Sequence, residues 1–188
     1  MSLAPRGSPK AILRGVFLIA RGRAEGLNCF GDTTRAIVQS LVPGAGLAVA
    51  AMIESWSEDG AARAFGGLLL LLCVLIAPVV ISFELAKLMG REAFWARYVV
   101  AFNWCLLLIP LVALTAGLIA MPLAGDAGDG FFLLLNVAIG GYALWLHWFI
   151  ARHALALNGM RSALFVAGVH LGTMLMVAVP VLIVGGAR

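Results

Sequence analysis

Five long apolar segments, separated by short polar connections, dominate this 188-residue chain. They run 36–53, 64–83, 98–121, 131–150 and 162–186. A helix needs roughly 20 apolar residues to cross the hydrocarbon core of a bilayer. Backbone N–H and C=O groups in hydrocarbon must be satisfied within the protein, which leaves helices and closed barrels as spanning structures. The segments are too long and too uniformly apolar for barrel strands. The pattern predicts an all-α polytopic integral membrane protein with five transmembrane helices.

Composition agrees: 63% of the residues are hydrophobic and 12% charged, against about 45–50% and about 25% in an ordinary soluble domain. A soluble globular protein, a disordered chain and a nucleic-acid-binding arm are all excluded. No connection approaches the roughly 40 residues below which domains rarely fold unaided. These residues leave no room for a separate catalytic domain, and the expectation is a non-enzymatic protein. No phosphate-binding loop or nucleophile elbow is readable; the Gly-Ala-Gly after Pro43 lies inside an apolar segment, without the strand–turn–helix setting a dinucleotide site needs.

The remaining chain divides simply. Residues 1–9 read as a disordered tail, 10–35 as a cytoplasmic amphipathic helix with a linker, and 36–188 as the transmembrane domain. Lys10, Arg14 and Arg21 fall on one helical face, opposite Ile12, Leu13, Val16, Phe17 and Ala20. Arg14 interrupts the apolar run, which is too short to span, so a helix lying on the membrane surface and touching anionic lipids is expected. A cytoplasmic helix packed on the bundle is the alternative. Asp32 or Thr33 is placed to cap the next helix.

Charge sets the orientation. Six Lys/Arg (Arg6, Lys10, Arg14, Arg21, Arg23 and Arg35) precede the first segment, and one (Arg63) lies in the first loop. Lys87, Arg91 and Arg97 mark the second loop, none the third, Arg152 and Arg161 the fourth, and Arg188 the end. Eleven of the thirteen thus collect on one side, which the positive-inside rule assigns to the cytoplasm. The expected site is a bacterial inner membrane, with the N-terminus cytoplasmic and the C-terminus periplasmic. The net charge of +4 marks that face rather than a nucleic-acid partner. Trp56, Trp95, Tyr98, Trp145 and Trp148 fall at interfacial belt positions.

Polar and helix-breaking residues inside the segments each need an account. Gln39, Pro43, Gly46 and Ala50 form one stripe; Asn136, Gly140, Ala143 and His147 form another. Asn103, Pro110 and Gly117 share a face, and His170 and Thr173 stand together before Pro180. Such stripes either let helices pack closely or converge on a polar pathway. Pro43, Pro78, Pro110, Pro180 and the Gly140–Gly141 pair predict kinks, whether as fixed packing features or as hinges. Glu84 sits with Lys87 and Arg91 at the cytoplasmic end of the second segment, as an interfacial charge row. His147, His153 and His170 raise metal or haem ligation, but no HxxxH or ExxH spacing accompanies them. No cofactor or metal is expected. Cys29, Cys73 and Cys105 read as free thiols.

The stretch MGREAFWARYVVAFNWCLLLIP, residues 89–110, carries Gly90, Phe94, Tyr98, Ala101 and Pro110. In these residue types, and in its five-span topology, the chain resembles the Yip family, small membrane proteins named for interaction with Ypt/Rab GTPases. The resemblance implies membrane-trafficking partners for eukaryotic members, partners a bacterial member would lack, and it supplies no catalytic residues.

The expectation is therefore a membrane scaffold or interaction protein, an accessory subunit of a larger membrane-protein complex. The alternatives are a small-solute transporter or channel lined by Gln39, Asn103, Asn136 and His170, and a haem- or quinone-binding membrane subunit.

Overall fold

Each apolar segment becomes helix because its interior offers no competing polar backbone partner, and because the capping residues sit where a helix must start or stop. In the computed structural model the structure describes residues 6–59, 61–124 and 128–185. Among these residues the chain is helical, without strands. The order is α1 (Pro9–Ala20), a short 3₁₀ helix (Ala24–Cys29), α2 (Thr34–Asp59), α3 (Ala61–Leu88), α4 (Glu92–Leu106), α5 (Leu108–Ala124), α6 (Gly128–Ala154) and α7 (Gly159–Gly185). Five stretches are long and apolar enough to cross a membrane: Thr34–Glu54, Phe65–Leu88, Glu92–Ile119, Gly130–Ala154 and Gly159–Ala178. Residues 1–5 of the expected tail, residue 186 at the end of the fifth segment, and Arg188 lie outside the described residues. Within the same tail Gly7 N–H donates to Cys29 C=O at 3.0 Å, and Ser8 Oγ caps α1 by accepting from Ala11 N–H at 3.3 Å, so order begins before Lys10.

The helix ends follow local rules. Thr33 Oγ1 accepts from Ala36 N–H at 3.2 Å and starts α2. Asn158 Oδ1 accepts from Arg161 N–H at 2.8 Å and starts α7. α1 and α3 end at Gly22 (φ +72°) and Gly90 (φ +66°), left-handed positions that suit glycine. In both, the next N–H reaches back five residues, Arg23 to Leu18 C=O at 2.9 Å and Arg91 to Ala86 C=O at 2.7 Å. α6 closes in the same way, Leu157 N–H donating to Arg152 C=O at 3.0 Å, but its left-handed residue is Ala156 at φ +51°.

Of the segment prolines, Pro43 and Pro78 lie inside uninterrupted helices. The third segment instead divides at Leu107 into α4 and α5. Pro110 explains the position: it has no N–H for the carbonyl of Leu106, and its ring crowds that same carbonyl.

Packing is concentrated at one end. α1, the C-terminal part of α3, the start of α4, the end of α6 and the start of α7 bury Ile19, Ala86, Tyr98, Val99, Val100, Ile150, Leu155, Phe165 and Val169 in one core. The opposite halves of the helices carry exposed side chains such as Leu69, Leu114, Leu118, Leu133 and Leu175. All three Lys/Arg-rich connections belong to the packed end.

Close approach there depends on glycines. In α7, Gly168 and Gly172 form a small-xxx-small pair. A Cβ at Gly168 would lie 3.0 Å from Leu85, and one at Gly172 3.0 Å from Ile81, so α7 runs antiparallel to α3 along this seam. A Cβ at Gly26 would lie 2.6 Å from the backbone oxygen of Gly15, which binds the 3₁₀ helix tightly to α1. By contrast Gly46, Gly117, Gly140 and Gly141 have nothing within 4 Å of such a Cβ. The packed side of α2 is Ser40, Gly44 and Ala48 rather than the expected Gln39–Pro43–Gly46–Ala50 stripe, in which Gln39, Gly46 and Ala50 are exposed.

Two substitutions test this account by thermal unfolding in detergent. Gly26→Ala is expected to destabilise the protein by about 1–3 kcal/mol, because backbone cannot yield as a side chain does. Ala156→Gly is expected to stabilise it by about 1 kcal/mol by relieving the left-handed alanine.

Candidate functional site

The residues with most chemical capacity meet where α4, α6 and α7 cross within the packed end. α4 sets Tyr98 seven residues into its course, after the turn at Gly90. α6 brings His147 from the opposite direction, and α7 brings His170 eleven residues after its first residue, Gly159.

Tyr98 is fully buried, stacked on Phe102 at 5.9 Å and edge-on to Phe165 at 5.2 Å. Its hydroxyl is 2.6 Å from His147 Nε2. His147 is 4% exposed, and its Nδ1 is buried with no hydrogen-bond partner. The His170 ring lies 5.0 Å from that of His147. His170 Nδ1 is 3.0 Å from the carbonyl of Val166. A carbonyl only accepts, so this Nδ1 carries the proton, and in the neutral ring Nε2 keeps its lone pair. If the Tyr98 hydroxyl donates to His147, then His147 Nδ1 is likewise an N–H.

His147 and His170 line one cavity of about 70 Å³, together with Phe102, Cys105, Ala143 and Ile150. That is several times the about 10–15 Å³ a water molecule needs, and well below the roughly 300–1,000 Å³ of small-molecule sites. The two rings, tilted by 39° at 5.0 Å, leave no layer between them for a macrocycle with two axial histidines. Among the described residues no group of three or more His, Cys, Asp or Glu is disposed to hold a metal ion. Cys29, Cys73 and Cys105 are free thiols. His153, the third histidine, bonds only within α6, with Nδ1 2.9 Å from Phe149 C=O.

The other polar residues singled out from the sequence take separate places. Asn103 Nδ2 donates to Ser40 Oγ at 2.9 Å, and Ser40 in turn donates to Ile37 C=O at 2.7 Å, tying α4 to α2. Asn136 is exposed and donates to Phe132 C=O of its own helix at 2.8 Å. Gln39 lines a wide groove between α1, α2 and the α4–α5 break. The four residues proposed to line a path, Gln39, Asn103, Asn136 and His170, thus do not meet. Pro43 and Pro110 act as described for their helices. Lys10 and Arg14 are exposed on α1, and Arg21, exposed at its C-terminal cap, stacks its guanidinium 3.9 Å above the Phe17 ring.

Several contributors lacked a readable signal. Tyr98 falls at a belt position in the sequence, yet it is the partner of His147. Trp95 Nε1–H donates to Ser82 Oγ at 3.0 Å, Trp148 Nε1–H to Gly159 C=O at 2.9 Å, and Tyr142 O–H to Ala20 C=O at 3.0 Å. A ring at a belt position and a ring bonded across a helix contact have the same sequence neighbourhood. The Gly168/Gly172 small-xxx-small spacing, not among the stripes singled out from the sequence, is a sequence signal that points to the α3–α7 seam.

Comparison with protein-family models, curated proteins and solved structures found no match to this chain.

Removing the Tyr98 hydroxyl leaves both nitrogens of a buried imidazole without their protein partner. Tyr98→Phe is expected to destabilise the protein by about 1–3 kcal/mol. The double variant Tyr98→Phe/His147→Leu should lose less than the sum of its single changes, as a double-mutant cycle of unfolding in detergent would read.

Proposed function

We propose that the chain is a non-enzymatic integral protein of the bacterial inner membrane, acting as a scaffold or accessory subunit for other membrane proteins. The carrying observation is that part of the small and polar set expected to join helices within the bundle, on α2 and α6, instead lies on its outside. Asn136 and Gly140 are exposed along α6, and Gly46 and Ala50 along α2. In lipid, small residues permit close helix approach and amides bond across the contact, so these faces suit helices of a partner protein. The loosely packed half of the bundle offers the matching apolar surface.

In this reading the Lys/Arg-rich packed end lies in the cytoplasm, the C-terminus is periplasmic, and α1 rests at the inner surface with Lys10, Arg14 and Arg21 toward anionic lipid. The Yip-like resemblance of residues 89–110 belongs to the same proposal. Transport or channel activity is the second reading, favoured by buried His147 and half-buried His170 lining one cavity of about 70 Å³.

Purification of the full chain from its own membrane in mild detergent is expected to yield a stoichiometric membrane-protein partner. Asn136→Leu/Gly140→Leu should reduce its recovery severalfold without lowering the melting temperature of the chain. Recovery of the chain alone would overturn the subunit reading. With Cys29, Cys73 and Cys105 replaced by alanine, single cysteines at positions 57 and 188 should react with an impermeant maleimide in intact cells. Protection of both would overturn the orientation.

A further inference from the structure

A second concave feature is much larger than the histidine cavity and different in chemistry. It is a groove of about 680 Å³, walled by Ile12, Leu13 and Val16 of α1, Val42 of α2 and Leu108 and Leu111 of α5. It lies beside the helix break at Leu107, itself a lining residue. Its volume falls within the roughly 300–1,000 Å³ of ligand sites. Two polar side chains, Gln39 and Trp104, interrupt the apolar wall.

The basic residues are grouped around this wall. Arg6 precedes the lining residue Gly7, Lys10 is the i,i+3 surface neighbour of the lining residue Leu13 on α1, and Arg14 lies one turn beyond Lys10, farther from the wall. Arg35 stands one helical turn before Gln39, on the same face of α2. All four are exposed. Over residues 6–35 six Lys/Arg face only Glu25 and Asp32 in sequence. The three sectors of α1 make the placement consistent. Ala11, Gly15 and Ile19 are buried on the protein, the adjoining Ile12, Val16 and Leu13 form the groove wall, and Lys10 and Arg14 come next around the helix.

We propose that this groove is a stoichiometric site for one anionic phospholipid of the cytoplasmic leaflet. An acyl chain occupies the apolar trough, the Gln39 amide and Trp104 indole N–H meet the ester oxygens, and the phosphate lies among Arg6, Lys10, Arg14 and Arg35. The proposal rests on the reading of α1 as a helix of the inner membrane surface. It goes beyond diffuse attraction of a basic helix to a charged bilayer, because it assigns one lipid, one trough and a headgroup preference.

The test is native mass spectrometry of the full chain in detergent, titrated separately with phosphatidylglycerol and phosphatidylcholine. The expected result is one tightly held phosphatidylglycerol per chain and weaker phosphatidylcholine. Lys10→Gln/Arg14→Gln/Arg35→Gln should weaken phosphatidylglycerol by about fivefold per charge removed and leave phosphatidylcholine unchanged. Val42→Trp and Leu111→Trp, at positions 62% and 57% exposed, should fill the trough and abolish tight binding of both lipids. Equal binding of the two lipids by the unaltered chain would overturn the headgroup assignment. Undiminished phosphatidylglycerol binding by both tryptophan variants would overturn the groove as the site. Preferential uptake of a neutral isoprenoid quinone, added as a competitor, would replace the lipid with a redox ligand. Detergent titration does not depend on which side of a membrane α1 occupies, so its failure is distinguishable from failure of the cysteine-labelling test of orientation.

Discussion

In hydrocarbon, apolar contact between two helices gains little over apolar contact with lipid, so a bundle of this composition depends on the few places where polar groups and close-packed backbones meet. In this chain those places converge on α4. Trp95 bonds Ser82 of α3, Tyr98 bonds His147 of α6, and Asn103 bonds Ser40 of α2. The three side chains occupy little more than two turns of one helix and reach three different neighbours. Measured interhelical hydrogen bonds in membranes average only about 0.6 kcal/mol. Bonding therefore specifies which helices are neighbours, while close packing at Gly44, Gly168 and Gly172 provides much of the cohesion. Tyr142 and Trp148 extend the set to α1 and α7.

This concentration explains why the molecule is packed at one end. Beyond Asn103 the third segment loses its continuous helix at Leu107, and the polar bridges from α4 stop with it. α5 contributes Thr115, whose hydroxyl donates back to Leu111 C=O at 2.8 Å and to Val112 C=O at 3.0 Å within its own helix. Asn136 likewise turns its amide to its own helix. A polar group bonded locally can face lipid at modest cost, and it can be exchanged for a bond to a partner helix without first breaking the bundle. That is why the outward faces, rather than the buried Tyr98–His147 pair, carry the subunit proposal.

Much of the fold was legible because its causes are local. Helix length follows from apolar run length and the start at Thr33 from side-chain capping; the cap at Asn158 and the left-handed ends at Gly22 and Gly90 obey equally local rules that the structure brings out. The choice of face was not legible. Gln39–Pro43–Gly46–Ala50 and Ser40–Gly44–Ala48 are neighbouring stripes of one helix, and both look like packing faces when every surrounding residue is apolar. Which one turns inward is decided by Asn103, 63 residues away from Ser40. The Tyr98–His147 pair spans 49 positions, and no local pattern joins them. In a soluble helix the polar side would have settled the question; in hydrocarbon the usual contrast between faces is missing.

α1 shows the same problem solved differently. Its basic and apolar faces were readable because charged and apolar side chains separate around it, yet an amphipathic pattern alone does not tell a helix adsorbed on a bilayer from one packed on protein. The structure gives it a third face: Gly15, packed so closely that a Cβ would lie 2.9 Å from Cys29 and Phe30, with Ala11 and Ile19 beside it. Tyr142 then accepts the end of the helix into the bundle by donating to Ala20 C=O. A helix fixed on one side to protein cannot rotate to bury its remaining apolar residues. Leu13 and Phe17 stay 71% and 55% exposed, and the groove beside them stays apolar. Rigid attachment thus turns a generic amphipathic helix into one wall of a shaped site, and this gives the anionic-lipid proposal its geometry.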